Sequence, residues 1–320
     1  MASRLNRAIE LLEQDQAIYY VGGHTGHVLT REQGRQDAHT WADYINVGME
    51  HGALDLAGLD EYMAGLIEGG PTNAGHRTPP VIVEAPVNGI NEDHIRYNAW
   101  QFRVILGRGV HGILLCQVEN AAAARAFVES CRYTHQTIGL DPAIPSALDR
   151  MRGAKSVPPG MGPDGRPYLG VGTRGRGSEP TSAAVWGMST EEYLRRAEPW
   201  PLNPDGELLL GVKLESPEGI ANCEEILAVP GIGFAELGPG DLGLSLGYVA
   251  VPRNPYPEEM KEAREKVFAA CKARGIPFLE GATPETIAEK LDEGVRVIAG
   301  HREDTAKVGR AHSKREMPVG

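Results

Sequence analysis

Eight short apolar runs, each followed by an amphipathic segment, constrain the fold of this chain more than any other feature of its sequence. Short apolar runs between turn residues are typical of buried strands, and apolar residues at every third or fourth position are typical of helices. Eight such repeats predict a parallel (β/α)₈ TIM barrel, formed by residues 1–320 as one domain. The predicted strands are residues 17–23, 42–49, 81–83, 110–118, 208–214, 232–237, 276–279 and 295–299.

A doubly wound open sheet is the rival architecture, and it usually carries a glycine-rich nucleotide fingerprint early in the chain. Gly170, Gly172 and Gly175 match the spacing G-x-G-x-x-G. No predicted strand precedes them and Pro180 follows soon after, so this match predicts no dinucleotide site. The barrel is therefore the favoured architecture.

The composition excludes several classes of partner. The net charge of −11 and the pI of about 5.4 argue against nucleic acid. The sequence has no basic N-terminal segment with an apolar core, and no apolar run approaches the ~18 residues of a membrane span. The four cysteines lie far apart without a C-x-x-C pair, which is typical of reduced thiols. These features predict a soluble, cytoplasmic protein that binds neither nucleic acid nor membranes.

Residues 208–247 are the most informative segment, because two predicted strands in it each lead to a carboxylate. The first strand ends at Glu215, and the second leads through the turn 238–240 to Asp241. Parallel strands bring their carboxyl ends to the same edge of a sheet, so these carboxylates converge. Converging carboxylate oxygens suit a hard divalent cation such as Mg²⁺ or Mn²⁺. The alternative is that both carboxylates only cap helices.

Most of the other predicted strands also end in polar residues, which a barrel collects in one mouth at the carboxyl ends of its strands. Repeated carboxylates at such positions point to function, since unpaired charge is costly to bury. For Glu119 and Glu280 taken singly, a solvated loop position is the simpler interpretation. The residues expected at the mouth are His24, His27, Glu50, His51, Glu84, Glu119, Lys213, Glu215, Asp241 and Glu280.

Residues 139–204 interrupt the repeat with a long segment rich in Gly, Pro and Arg, in which the pattern predicts one helix at 190–197. Connections of this length inside a compact domain usually serve as functional loops or lids. We therefore expect an extended insertion before the fifth strand, with the hypothesis that it folds over the mouth.

Four segments of the chain share motifs with one enzyme family. They read VKLESPEGIANCEEILAVPGIGFAELGPGDLGLSLG, DYINVGMEHG, LLCQVENAAAARAFVESCRY, and GRGS with WGMSTEEYLRRA. The first is similar to the family's V-Q-I-E and G-P-x-D-L motifs, and the second to its D-x-E-H motif. In these segments the chain resembles the HpcH/HpaI aldolases, the metal-dependent class II aldolases of 4-hydroxy-2-oxo acids. The resemblance covers most of the chain and implies a barrel of the phosphoenolpyruvate/pyruvate type.

The resemblance implies a role for each matching residue. Glu215 and Asp241 would bind a divalent metal, with Mg²⁺ or Mn²⁺ expected and Co²⁺ or Zn²⁺ as alternatives, and Glu50 would support a metal-bound water. The metal would chelate a 2-oxo acid and stabilise the enolate that forms when a carbon–carbon bond to an aldehyde breaks. His51 would act as the acid/base group or hold the water that does, and amides around Gly240 would meet the substrate carboxylate.

The family's C-terminal helix often packs on a neighbouring subunit. The corresponding helix is expected at residues 302–314 of this chain. The resemblance therefore implies a homo-oligomer, a trimer or a hexamer.

Three positions depart from the family's pattern. Glu84 stands where the family has an Arg that grips substrate oxygens, Lys213 replaces a Gln, and Gly48 replaces the Asp of D-x-E-H. We expect Glu84 to pair with Lys213, or Lys213 to bind the substrate anion, although Lys lacks the fork of Arg. Glu84 is also a candidate metal ligand, acid/base group or partner of a substrate hydroxyl or amine.

Three residues of the long segment are candidates to contact the substrate. Arg174 and Arg176 would replace the lost Arg if the segment folds over the mouth, and Trp186 would wall a bulky substrate. The alternative is that the arginines lie in a solvated loop and the tryptophan packs in the core.

These observations favour a divalent-metal-dependent carbon–carbon lyase, an aldolase that cleaves or forms 4-hydroxy-2-oxo acids through a pyruvate-type enolate. Its expected catalytic residues are His51, Glu50, Glu84 and Lys213. One alternative keeps the barrel and the metal but is a hydratase, a decarboxylase or a non-pyruvate aldolase, since Glu84 and Gly48 alter the substrate grip. A second alternative is a non-catalytic barrel that binds a metabolite.

Overall fold

The computed structural model describes residues 4–252, 255–299 and 302–319. Eight parallel strands close into a barrel, because β4 (Gly112–Cys116) pairs with β6 (Leu208–Lys213) as well as with β3 (Val81–Asn88). This confirms the predicted (β/α)₈ barrel and all eight predicted strands. A two-residue strand, β5 (Pro199–Trp200), also pairs with β6. The strands are β1 (Ile18–Gly23), β2 (Tyr44–Gly48), β3 (Val81–Asn88), β4 (Gly112–Cys116), β5 (Pro199–Trp200), β6 (Leu208–Lys213), β7 (Phe234–Glu236), β8 (Phe278–Gly281) and β9 (Val297–Ala299).

Helices follow the strands in the described parts of the chain. Between β6 and β7 lie two short helices that meet at Asn222, whose side chain donates a hydrogen bond to the Glu119 carbonyl (2.8 Å). The segment 139–204 contains three helices where one was predicted. The helices are α1 (Arg7–Glu13), α2 (Arg31–Asp37), α3 (Leu56–Gly69), α4 (Glu92–Leu106), α5 (Ala121–Cys131), α6 (Ala147–Met151), α7 (Glu179–Trp186), α8 (Thr190–Arg196), α9 (Pro217–Ala221), α10 (Cys223–Leu227), α11 (Pro239–Ser245), α12 (Glu258–Arg274), α13 (Ile287–Glu293) and α14 (Glu303–His312).

Apolar side chains fill two layers of the barrel. Inward-facing residues of the strands pack with α1, which lies before β1 and therefore covers the amino ends of the strands. A larger cluster lies between the outer face of the strands and the surrounding helices. Burial of this apolar surface is the main force that holds the sheet and helices together. The interior layer is formed by Ala8, Ile9, Leu11, Leu12, Ile18, Tyr20, Tyr44, Ile82, Leu114, Leu209, Phe234, Leu279 and Val297.

The segment 139–204 contacts the amino ends of the strands. Trp186 donates a hydrogen bond from Nε1 to the Gly109 carbonyl (2.9 Å) and stacks on His111, just before β4. Ser182 Oγ donates to the Leu106 carbonyl at the end of α4 (3.0 Å). The mouth lies at the opposite end of the barrel, so the hypothesis that this segment folds over the mouth is wrong for α7 and α8.

The last helix, α14, lies against the barrel wall. Arg310 donates to the Trp41 carbonyl (2.7 Å), and the following Arg315 forms a two-pronged ion pair with buried Asp43 (2.6 and 2.7 Å). The expected contact of this helix with another subunit stays a prediction. Among the described residues, no helix is both long and apolar enough to cross a lipid bilayer.

His111 predicts a specific pH dependence of folding stability. Its imidazole is buried, Nδ1 accepts a hydrogen bond from the Val81 N–H (3.1 Å), and burial lowers the pKa of His111 to about 3, with His76 adding to the effect. Unfolding restores a pKa near ~6.5, so the unfolded state binds more protons as the pH falls from 6.5 towards 3. This group alone should therefore remove up to ~1.4 kcal/mol of stability per pH unit in that range.

The matched variant is His111→Asn, because the Asn carbonyl retains the acceptor at the Nδ1 position. Urea unfolding at several pH values between about 4 and 7 should show a shallower loss of stability on acidification than in the wild type. Equal slopes in the two proteins would contradict the neutral, buried state of His111.

Candidate active site

Three strand ends bring charged side chains together at the mouth. Glu50 and His51 follow β2, Glu215 follows β6, and Asp241 lies in the first turn of α11 after β7. His51 Nε2 lies 3.6 Å from Glu50 Oε2 and 3.8 Å from Asp241 Oδ2. A second group, formed by Glu50, Glu215 and Cys116, offers one ligand atom per residue within 4.8 Å of one another. The structure thus brings together four of the residues for which the sequence predicted a site.

The carboxylate of Glu215 is buried in a tight backbone setting. Its Oε1 accepts a hydrogen bond from the N–H of Gln117 (3.0 Å), and its Oε2 is buried and accepts none. Gln117 has φ +49°, a left-handed conformation that costs a non-glycine residue energy. A Cβ atom at Gly238 would lie 1.9 Å from Oε2, so only glycine allows this approach.

Lys213 is the cation that neutralises part of this cluster. Its Nζ donates to Glu50 Oε2 (2.8 Å) and lies 3.5 Å from Glu215 Oε2. The expected ion pair between Lys213 and Glu84 is therefore wrong, because the ammonium lies next to Glu50 and Glu215 instead. The other oxygen of Glu50, Oε1, is buried without a hydrogen-bond partner.

A further buried carboxylate, Glu236, lies beside Lys213 across the β6–β7 register. Burial raises the pKa of Glu236 to about 7 and that of Glu215 to about 8, and neighbouring carboxylates, Glu50 among them, add to both shifts. Burial acts against the charge of Lys213, but the surrounding acids outweigh it and its pKa lies above the usual value. One ammonium thus balances only part of the acidic charge at the mouth.

The donor set fits a hard divalent cation. Glu50 Oε1 and Glu215 Oε2 are buried oxygens that accept no hydrogen bond, although Lys213 Nζ lies 3.5 Å from the second of them. Buried acceptors of this kind are costly unless a cation lies close to them. Glu215 and Asp241 would hold the ion, with Glu50 beside it. Cys116 suits this ion poorly, because a thiolate is a soft ligand and Mg²⁺ and Mn²⁺ prefer oxygen ligands.

Glu84 lies on β3 next to Gly48 of β2 and is buried. Both of its carboxylate oxygens lie close to His24 Nδ1 (2.8 and 2.9 Å), and Asn46 Nδ2 donates to Oε1 (2.7 Å). Burial raises the pKa of Glu84, but the bonds from His24 and Asn46 and the charge of Lys213 outweigh it, and the net shift is downward. This acid is therefore an ionised partner of His24 and makes no hydrogen bond to Lys213.

The structure does not bring the three predicted residues of the long segment to the mouth. Arg174 is buried, donates to the Tyr193 hydroxyl (2.8 Å) and stacks on the ring of Tyr133, which follows the end of α5. Arg176 is 80% exposed and lies near Glu179. Trp186 packs at the amino ends of the strands. The expectation that Arg174 and Trp186 contact the substrate is wrong, because their partners lie at the end of the barrel opposite the mouth. In the part of the chain that the structure describes, Arg176 contacts Glu179 of the same segment and no residue of the mouth.

Two other polar residues expected at the mouth have structural partners. His27 Nε2 bonds with Asp37 (2.7 Å) and with the Tyr62 hydroxyl (3.1 Å), between α2 and α3. Glu280 is ion-paired with Arg264 (2.7 Å) and with Lys290 (3.0 Å). Gly240 is in the first turn of α11 with open space where a side chain would lie, and its predicted contact with a substrate carboxylate stays a prediction.

Sequence reasoning missed three residues of the mouth. Glu236 lies in the apolar run before the G-P-G-D turn, and a charged residue inside such a run was the available signal. Gln117 and Asn46 are ordinary in sequence. Their contacts with Glu215 and Glu84 depend on backbone geometry and on register between strands.

Comparisons with known proteins identify the family of this chain. A profile of the HpcH/HpaI aldolase/citrate lyase family matches residues 84–299. The chain belongs to this family. It is 33% identical over 134 residues to a hydroxypyruvate/pyruvate aldolase of Pseudomonas aeruginosa, which covers 41% of this chain and 46% of that protein. Matches to four curated relatives, this one included, span 34% to 46% of the length of those proteins, so the chain matches less than half of each.

Solved structures of the family share the fold. An HpcH/HpaI aldolase/citrate lyase family protein of Burkholderia cenocepacia J2315 superposes with a TM-score of 0.63 over 96% of both chains, at 20% identity. A citrate lyase beta subunit of M. tuberculosis, complexed with oxaloacetate and magnesium, superposes with a TM-score of 0.50 over 93% of this chain and 96% of that chain, at 13% identity. At these identities the similarity shows the fold alone.

If Glu215 is a metal ligand, Glu215→Gln should weaken metal binding. The variant keeps the acceptor for the Gln117 N–H but loses the negative charge, so Mn²⁺ affinity should fall by at least about 100-fold. Electron paramagnetic resonance of free Mn²⁺ measures this affinity directly. Glu280→Gln is the matched control, because Glu280 also ends a strand but is paired with Arg264 and Lys290. Equal Mn²⁺ affinity in Glu215→Gln and the wild type would contradict the assigned site.

Proposed function

We propose that this protein is a divalent-metal-dependent carbon–carbon lyase that cleaves or forms 4-hydroxy-2-oxo acids, with Mg²⁺ or Mn²⁺ as the ion. The observation that carries the proposal is the pair of buried, unbonded carboxylate oxygens of Glu50 and Glu215 beside Asp241. Membership of the family and the similarity to the hydroxypyruvate/pyruvate aldolase of P. aeruginosa support it. The M. tuberculosis structure with oxaloacetate and magnesium supports the choice of ion and of an oxo-acid ligand.

The residues of the mouth have separable tasks in such a reaction. When bound, the cation supplies Lewis-acid stabilisation of negative charge on the carbonyl oxygen of the substrate. Lys213 lies within 3.5 Å of Glu215 and adds positive charge to the same region. Glu50 fixes the ammonium of Lys213 through a 2.8 Å hydrogen bond. His51, half-exposed between Glu50 and Asp241, can exchange a proton with the substrate or with a water beside it.

A second function is favoured by one observation. The position where the family has an Arg holds buried Glu84, which is ionised and bonded to His24. A carboxylate there repels a substrate carboxylate and attracts hydroxyl or amine groups. The second candidate is therefore a lyase of the same fold and metal whose substrate has a different head group.

Proton exchange at the methyl group of pyruvate separates the two functions. In D₂O with Mg²⁺, the wild type should replace the methyl protons of pyruvate with deuterium, as followed by loss of the methyl signal in ¹H NMR. A chelator should abolish the exchange. Glu215→Gln should slow it by about 100-fold or more, because the charge on the carbonyl oxygen then loses its electrostatic partner.

The outcome decides between the candidates. Exchange that requires Mg²⁺ and Glu215 supports pyruvate chemistry. A wild-type protein that binds Mn²⁺ tightly but exchanges no pyruvate protons would overturn the first candidate in favour of the second.

A further inference from the structure

We propose that His24 is a proton-transfer residue of this site and that Glu84 is its positioning residue. The proposal rests on the function proposed above and adds a group that the motifs of the chain do not assign. His24 follows β1 at the carboxyl end of the barrel, and its imidazole is 37% exposed, whereas the Glu84 side chain is 1% exposed. A half-exposed imidazole on a buried carboxylate is the arrangement that orients a catalytic base.

The hydrogen bond fixes which imidazole nitrogen is basic. An ionised carboxylate only accepts hydrogen bonds, so the Nδ1 that lies 2.8 Å and 2.9 Å from its oxygens must carry a proton. In the neutral imidazole, Nε2 then holds the lone pair. Within residues 4–252, 255–299 and 302–319, no group forms a hydrogen bond to Nε2 of His24, so this atom is available to a substrate.

Glu84 is itself held in place. Asn46 on β2 donates from Nδ2 to Oε1 (2.7 Å), and the carboxylate is buried on β3. Three adjacent strands therefore determine the orientation of one imidazole. Fixing the orienting acid through a further hydrogen bond is what keeps a base within reach of its proton.

Gly48 makes room for this arrangement. A Cβ atom at Gly48 would lie 2.1 Å from the His24 carbonyl oxygen and 2.4 Å from that of Gly23. Any side chain at position 48 would push the loop that carries His24 away from Glu84. Gly48 in place of the motif Asp and Glu84 in place of the family's Arg thus act together, because both are needed for the contact between His24 and Glu84.

The charges that surround His24 suit a base. The hydrogen bond to Glu84 raises the pKa of His24, and the negative charges of Glu84 and Glu236 raise it further. Burial and the positive charge of Lys213 lower the pKa, but the net shift is upward. Glu84, Lys213 and Glu236 are the titratable groups that face the imidazole from β3, β6 and β7. His51, by contrast, lies beside Asp241 and Glu50, the oxygens that surround the metal site. Among the described residues, His24 and His51 therefore reach the mouth from separate strands, and His24 contacts Glu84 rather than the expected ligands.

The proton transfer we assign to His24 is the one at carbon. Neutral Nε2 takes one proton from the methyl group of a pyruvate-type substrate, and the C–H electron pair becomes the second bond between the methyl carbon and the carbonyl carbon. The carbonyl π pair moves to oxygen, where Lys213 and a bound divalent cation would stabilise the negative charge. Return of a proton, or of a deuteron from solvent, from Nε2 to the same carbon reverses the step.

His24→Asn tests the base directly. The Asn amide retains the donor to Glu84 at the position of Nδ1 and removes only Nε2. Exchange of pyruvate methyl protons in D₂O with Mg²⁺ should fall about 10²- to 10⁴-fold. Mn²⁺ affinity should remain that of the wild type, because His24 contacts none of the proposed ligands. His27→Gln is the matched control from the same loop, since Gln retains the donor to Asp37, and its exchange should equal that of the wild type.

Glu84→Gln tests the positioning role with readouts that a merely structural role would not change. Loss of the negative charge lowers the pKa of His24, so the acid limb of the exchange rate against pH should move to lower pH. The maximal rate should also fall, while the KM for pyruvate should not rise, because the variant removes a charge that repels the substrate carboxylate. In metal-free protein, imidazole resonances in ¹H–¹⁵N NMR should show His24 titrating above ~6.5 in the wild type and lower in the variant.

The outcomes separate this proposal from the proposed function. If the wild type exchanges pyruvate protons and His24→Asn does so equally fast, the role of His24 is overturned and the metal-dependent function stands. If the wild type exchanges none, the proposed function falls and this proposal falls with it. An acid limb and a His24 titration that are the same in Glu84→Gln and the wild type overturn the positioning role of Glu84.

Discussion

The contact between Lys213 and the acids around it is the interaction on which the mouth of this barrel depends. The ammonium bonds to Glu50 and lies near Glu215, and Glu236 is its neighbour across the β6–β7 register. One positive charge inside a ring of buried carboxylates leaves negative charge in excess, and burying such charge is expensive. We propose that a divalent cation offsets this cost, and that it binds next to the two oxygens of Glu50 and Glu215 that accept no hydrogen bond.

The barrel converts distant parts of the sequence into this cluster. Glu50, Glu215 and Asp241 follow three different strands, and closure of the sheet between β4 and β6 brings their ends around one opening. The amino ends are closed differently, by α1 and by the helices of the long segment. The apolar interior layer and the acidic cluster thus lie at opposite ends of the barrel, so the charges at the mouth do not disrupt the packing of the core.

Sequence alone predicted the barrel, its eight strands and the position of Glu215 and Asp241 at the mouth, because strand periodicity and strand-end carboxylates are local signals. The role of these two residues as metal ligands stays a prediction. It could not predict that Lys213 bonds to Glu50 rather than to Glu84, because this contact depends on side-chain directions across the closed sheet. It misplaced Arg174 and Trp186, because a segment rich in Gly and Pro has no periodicity that says which end of a barrel it covers. The His24–Glu84 pair was equally hidden, since it depends on the register of β1, β2 and β3 and on the close approach that Gly48 permits.

The central claim is that the acids at the mouth form one cation site, and anomalous X-ray diffraction from crystals grown with Mn²⁺ tests it most directly. The account predicts one strong anomalous peak at the carboxyl ends of β6 and β7, about 2.0–2.2 Å from oxygens of both Glu215 and Asp241. Absence of a peak at the mouth, or a peak whose ligands include neither carboxylate, would contradict it.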